Sequence, residues 1–374
     1  MRLATYLDHA ASSPMRASAM AALTRHLSVV GNPSALHVAG QQARRALEEA
    51  REMLASAVGA SPSEVVFTSG GSEADSIALI GGMAARQAEG RVRCLVSAIE
   101  HPAVLGMTGR GAEVLPVTRE GIVDVGAAVT AIDADVGVVS IMAVNNETGI
   151  CQPMEDIRRA ARARGAWLHT DAVQALGHVP IDFRSSGLDM MTLSAHKAGG
   201  PVGIGALLVR RSVAPSMVGL GGGQERDIRS GTGAVALAAS FAAAAHEATA
   251  GLAEESARLS AMQAQITAAS RELDGDVNSD LAESAPHITN VTFRGVRAND
   301  VLFLLDQRGV FASVGSACRA GVHQPSEVLL AMGRTPDEAA ATLRFSTGHS
   351  TTDADVDRFL EVLPLAVRQA RNAF

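Results

Sequence analysis

The stretch VVFTSGGSEADSIALI, residues 65–80, decides how the rest of the chain is read. An apolar run ends at Gly70 and Gly71, after which Ser72 opens a helical pattern with Asp75 three positions on. This is a strand, a glycine turn and a helix, and Ser72 and Asp75 have the spacing of a capping box. Backbone N–H groups and the positive end of the helix dipole at such a turn make a cradle for phosphate. Most glycine turns before helices only turn the chain, so the pattern needs support from elsewhere.

Outward from this turn the rhythm repeats. EVVF (64–67), RCLVS (93–97), VGVVSIM (136–142), AWLHTD (166–171), DMMTLS (189–194) and GALLV (205–209) read as strands separated by Ala-rich helices. Strands apolar on both faces and joined by helices predict an α/β fold with a mostly parallel sheet covered on both sides. Ligands then sit where loops leave the carboxyl ends of the strands. The run VGLGGGQERDIRSGTG (218–233) interrupts the rhythm and reads as a loop. GAVALAASFAAAA (233–245) comes nearest to a membrane span, but it ends at His246 and Glu247, and its alanine content suits a packed helix. Helical sequence continues to about 273 and carries the chain into a second region with strands near ITNVTF (288–293) and TLRFST (342–347).

The chain has 374 residues, about half of them apolar, enough for one large domain and a smaller one. Its net charge of −7, with the basic residues scattered, leaves no footprint for nucleic acid or an anionic membrane. Small molecules and proteins are the expected partners. Cys94, Cys151 and Cys318 are an odd, widely spaced set, which argues against a disulfide framework and a structural zinc site. The start, MRLATYLDHAASSP, lacks the apolar run of a signal peptide, so a reducing cytoplasm is expected.

Two later strand ends support the phosphate cradle. Asp171 in HTDAVQ ends one strand, and Lys197 in SAHKAGGP follows another. Singly, one reads as a helix cap and the other as a solvated loop lysine. Together, at one sheet edge with the cradle, they are what pyridoxal phosphate requires. The lysine forms a Schiff base, the carboxylate keeps the pyridine nitrogen protonated, and the cradle anchors the phosphate. SVGSACRAG (313–321) then places Cys318 among glycines and small residues, where a thiol can move and react.

Ten ordered motifs carry a family resemblance: YLDHAA (6–11), GNPSALH (31–37), FTSGGSE (67–73), EHPAV (100–104), VNNETG (144–149), HTDAVQ (169–174), SAHK (194–197), RSGT (229–232), GSAC (315–318) and LRFSTG (343–348). The sequence resembles the cysteine desulfurases, pyridoxal-phosphate enzymes of the class V aminotransferase family, in the group with a short SGSAC segment. The resemblance implies a fold-type I transferase. Its large cofactor domain would span 13–252, and 1–12 with 253–374 would form a smaller α+β domain carrying the cysteine loop. It implies Lys197 as the Schiff-base lysine, Asp171 as the pyridine-nitrogen partner and His101 as the histidine that stacks on the ring and relays protons. Asn146 and Gln174 would contact the phenolic oxygen and the substrate. Gly71, Ser72, Ser194 and His196 would hold the phosphate, with Thr232 reaching it from the neighbouring subunit of a homodimer. Arg344 would receive the substrate carboxylate, a task that suits a planar bidentate donor.

The implied reaction converts L-cysteine to L-alanine and leaves a persulfide on Cys318 for a sulfur acceptor, either an iron–sulfur scaffold or a thiolation carrier. No metal is implied. A cation beside a thiol favours its charged form, so Arg319 would promote the Cys318 thiolate where its side chain stays near. The alternatives are a selenocysteine lyase or another class V enzyme using the same cofactor, or a non-catalytic sulfur-transfer scaffold. Intact Lys197, Asp171 and Cys318 argue against the scaffold.

Overall fold

The computed structural model describes residues 4–279, 282–315 and 325–372. Seven strands build the main sheet: β1 Val65–Thr68, β2 Arg93–Ser97, β3 Glu113–Leu115, β4 Val136–Ser140, β5 Trp167–Asp171, β6 Met190–Ser194 and β7 Gly205–Val209. They lie in the order β1-β7-β6-β5-β4-β2-β3. The five strands from β6 to β3 pair in parallel, while β7 runs antiparallel between β1 and β6. All six strands anticipated here from sequence form, to within two residues at their ends.

Burial on both faces explains why these strands read as unbroken apolar runs. Phe67, Leu95, Val139, Leu168 and Leu193 enter the core on one face, and their neighbours Val66, Cys94, Val138 and Met190 enter the core on the other. Cys94 is thus a core residue, its thiol pushed up to about 12 by burial. The short β3, exposed at Glu113 and Val114, went unread because an edge strand lacks that apolar run.

Helices α1 Ala17–His26, α2 Val38–Ala57, α3 Gly71–Ser76, α4 Pro102–Leu105, α5 Val235–Ala250, α6 Leu252–Arg271 and α7 Asp353–Arg371 matter most for the site. α5 packs against α1 and α2. The helical sequence anticipated from 233 to about 273 is two helices, α5 and α6, bent by 72° where Gly251 leaves helical geometry. Glycine pays a large backbone entropy in a helix, which makes it a natural break point. No single helix among the described residues is long and apolar enough to cross a membrane.

A second core joins Leu7 to residues of α6, α7 and a three-stranded antiparallel sheet, β8 Gly275–Val277, β9 Ile288–Phe293 and β10 Thr342–Ser346. The N-terminal Thr5–Tyr6 pairs in parallel with Val310–Phe311, and Asp8 bridges to Ser346. The start of the chain is therefore tied to its last third.

Candidate active site

Loops leaving the carboxyl ends of β1, β2, β4, β5 and β6 enclose a cavity of about 430 Å³, closed from the other side by Arg344 of β10. Ten of the residues singled out from sequence line it: Gly71, Ser72, His101, Asn146, Asp171, Gln174, Ser194, His196, Lys197 and Arg344. Thr232 is exposed and lies outside this lining. Cys318 and Arg319 fall outside the described residues. Gly315 and Pro325, on either side of that segment, both reach the cavity.

The capping box anticipated at Ser72 and Asp75 does not form. Gly70 is the N-cap of α3, no side chain caps it, and Ser72 already lies inside the helix. Asp75 instead turns inward, where the buried face of α3 meets the sheet, with Oδ1 3.7 Å from His169 Nε2. The consequence is an open helix terminus facing the cavity, with first-turn N–H groups free for an anion. A Cβ on Gly71 would sit 3.0 Å from Val173 Cγ2 and 3.6 Å from Ser194 Cβ, so only glycine lets the backbone come this close.

Three titratable groups face one another across the cavity. Lys197 Nζ donates to the carbonyls of Ala10 at 2.5 Å and Ala11 at 2.8 Å. Burial, then the positive Arg344, lower its pKa to about 8 against the pull of Asp8 and Asp171. Asp171 accepts from Val173 N at 2.8 Å, and burial raises its pKa despite His101 and Lys197. His101 caps α4 by accepting Ala103 N–H on Nδ1 at 3.1 Å, so in its neutral form the proton sits on Nε2. Its pKa falls through burial and Lys197, with Asp171 opposing.

Arg344 is almost wholly buried and donates to Asp8 Oδ1 at 2.7 Å and to the Asn146 carbonyl at 2.8 Å, while its Nε has no partner among the described residues. The Asn146 side chain makes no protein hydrogen bond among the described residues. Glu147 accepts from Ser326 Oγ at 2.5 Å and packs against Gly315, whose φ of 83° suits glycine, so the chain on both sides of 316–324 rests on one buried carboxyl. His196 Nδ1 is 3.3 Å from Ser12 Oγ, its pKa lowered to about 4 by burial and Lys197.

Sequence reading missed Asp8, Asp75, Glu100 and Glu147 as site residues. Asp8, Glu100 and Glu147 lie inside the quoted motifs YLDHAA, EHPAV and VNNETG, which was the available signal. Glu100 is fully buried, receives Ser97 Oγ and Met142 N on Oε1 at 2.7 Å each, and has its pKa pushed up to about 8 by burial.

The uncapped terminus, the glycine cradle, a lysine near pKa 8 and a buried carboxylate fit pyridoxal phosphate. Gly71, Ser72, Ser194 and His196 would hold its phosphate, Asp171 its pyridine nitrogen and Lys197 its carbonyl carbon.

The family model "Aminotransferase class-V" matches residues 5–359. An IscS-like cysteine desulfurase of Mycobacterium tuberculosis is 45% identical, over 98% of this chain and 97% of its own. The cysteine desulfurase IscS of Methanosarcina thermophila is 37% identical over 99% and 93%. Among solved structures, a NifS-like protein superimposes with a TM-score of 0.90 at 31% identity, covering 98% of this chain and all of its own. SspA in complex with cysteine has a TM-score of 0.80 at 34% identity over 91% and 98%.

Proposed function

The chain belongs to the class-V aminotransferase family, and within it we propose that the protein is a cysteine desulfurase, converting L-cysteine to L-alanine and carrying the sulfur as a persulfide on Cys318. The observation that carries this reading is the single cavity joining Lys197, Asp171, His101 and Arg344, with Gly315, three residues before Cys318, in its lining.

Pyridoxal phosphate, once bound, supplies a sink for the electrons released at the substrate's Cα. Arg344, held by Asp8 and Asn146, orients the substrate carboxylate. Lys197, with its pKa near 8, takes the Cα proton at neutral pH. His101 presents Nε2–H toward the reacting groups and moves a proton there. The Cys318 thiolate takes the substrate's sulfur: an S–S bond forms as the C–S bond breaks, the electron pair passes to carbon, and carbon is protonated to give alanine. No outside oxidant or reductant enters the balance.

A second copy of the chain would bring Thr232 to this cavity. Supporting this, exposed Val30, Leu36 and Leu220 lie on two loops tied together by Ser34 and Gln224, an apolar surface suited to a homodimer. The sulfur acceptor would be an iron–sulfur scaffold or a thiolation carrier, met in the cytoplasm.

The test is to give L-cysteine to purified protein reconstituted with pyridoxal phosphate. Alanine should form, and the peptide bearing Cys318 should become one sulfur atom heavier. Cys318→Ala should keep the cofactor's absorption band and make no alanine. Alanine at the parent rate from that variant would refute the assignment.

A further inference from the structure

Behind Gln174 the fold packs two histidines that no motif singled out. His178 lies just beyond the carboxyl end of β5, and His287 immediately precedes β9. Their rings stack face to face, centroids 3.6 Å apart and planes 9° from parallel, and both are buried. His287 Nε2 lies 3.2 Å from Gln174 Oε1, and Gln174 Nε2 donates to the Ala10 carbonyl at 2.8 Å.

This network has one self-consistent assignment. A backbone carbonyl only accepts, so Gln174 must turn its NH₂ toward Ala10. Its oxygen then faces His287, and His287 must carry a proton on Nε2. Nδ1 of His287 has no partner among the described residues, so it is the nitrogen that can be left bare.

We propose that His287 is a positioning residue for the reaction: its Nε2–H holds the Gln174 oxygen while the Ala10 carbonyl holds one amide N–H, and the two together aim the amide's second N–H into the cavity. One Gln174 N–H is used on Ala10, the other has no protein acceptor among the described residues, and Gln174 lines the cavity. The same Ala10 carbonyl accepts from Lys197 Nζ, so amide and amine are set against one fixed acceptor. Burial first, and then the positive charges of Arg344 and Lys197, keep His287 uncharged. The donor therefore adds no further cation beside Lys197 and Arg344. The proposal rests on the functional reading above and takes Gln174 to meet the phenolic oxygen of pyridoxal phosphate, one of the contacts that the family resemblance implies for Asn146 and Gln174.

Two measurements test it. In protein reconstituted with pyridoxal phosphate, His287→Phe keeps the stacked ring and removes the donor. An N–H on the phenolic oxygen favours the deprotonated lysine-linked cofactor. The midpoint of its pH-dependent absorption should therefore rise by about half a unit or more. Gln174→Ala should raise the midpoint similarly, the double variant should rise no further, and His287→Gln, which restores a donor, should return toward the parent. A His287→Phe midpoint equal to the parent's, or additive shifts, overturns the proposal.

The second measurement needs no cofactor. With nitrogen-15 labelled histidine in the parent protein, His287 should show the neutral Nε2–H tautomer through the neutral pH range. An Nδ1–H or charged ring overturns the proposal. It also stands apart from the functional reading, which fails instead where the parent binds no cofactor or makes no alanine.

Discussion

Arg344 and Asp8, 336 residues apart in the chain, form an ion pair at 2.7 Å at the wall of the cavity. With the Asn146 carbonyl, Asp8 fixes the plane of the guanidinium and leaves Nε without a partner among the described residues. A preset fork loses less freedom when it receives a carboxylate.

Asp8→Ala should therefore raise KM for L-cysteine about tenfold and lower kcat less, the loss expected for one hydrogen bond to a charged group. Asp8→Asn, which keeps an acceptor, should fall between. Steady-state alanine formation measures both, and an unchanged KM in Asp8→Ala would remove Asp8 from the positioning role.

Lys197 should react as an abnormal lysine. In protein stripped of cofactor, its acetylation by a trace reagent should follow a midpoint near pH 8, set by burial and Arg344. Asp8→Asn should lower the midpoint further, because the Asp8 charge raises it. A midpoint at the ordinary lysine value of about 10.4 would contradict the electrostatics of the cavity.

Gly71→Ala should weaken cofactor retention about tenfold, since the new Cβ meets Val173 Cγ2 at 3.0 Å and crowds the backbone turn. Gly70→Ala is the control. It has extended backbone and nothing within 4 Å of a new Cβ, so retention should stay within about twofold. Dialysis followed by cofactor absorbance reads both, and equal losses would show that the Gly71 contact does not matter.

Glu100 makes stability depend on pH in a definite direction. Its folded pKa is raised from 4.5 to about 8, so between those values the native state keeps a proton that the unfolded chain has released. Stability from this group falls as pH rises through that window. Glu100→Gln keeps an oxygen for Ser97 and Met142 but does not titrate, so its Tm should gain on the parent's from acid to neutral pH. A Tm difference that stays constant across the range would mean that Glu100 is ionised in the folded protein.

What could be read in the sequence was what local chemistry encodes. Strands such as RCLVS and GALLV were legible because burial on both faces leaves no polar residue to break the run. Asp171, Lys197, His101 and Arg344 were legible because each sits in a short motif at a strand end or on a strand. The capping box at Ser72 and Asp75 looked equally local and was wrong. Spacing alone does not say that Asp75 will be drawn inward beside His169 or that Gly70 will take the cap.

The remainder was decided only in three dimensions. Asp8 finds Arg344 because the N-terminal segment lays Thr5–Tyr6 beside Val310–Phe311, a pairing no periodicity announces. His287 meets His178 and Gln174 because the residue before β9 is brought against the segment that follows β5, and the proton on His287 follows from a carbonyl at Ala10. The sequence by itself determined the sheet and ten of the side chains or glycines that line the cavity, since burial and motif are written residue by residue. Their orientation, protonation and partners belong to the tertiary structure, because hydrogen bonding and desolvation depend on groups hundreds of residues away.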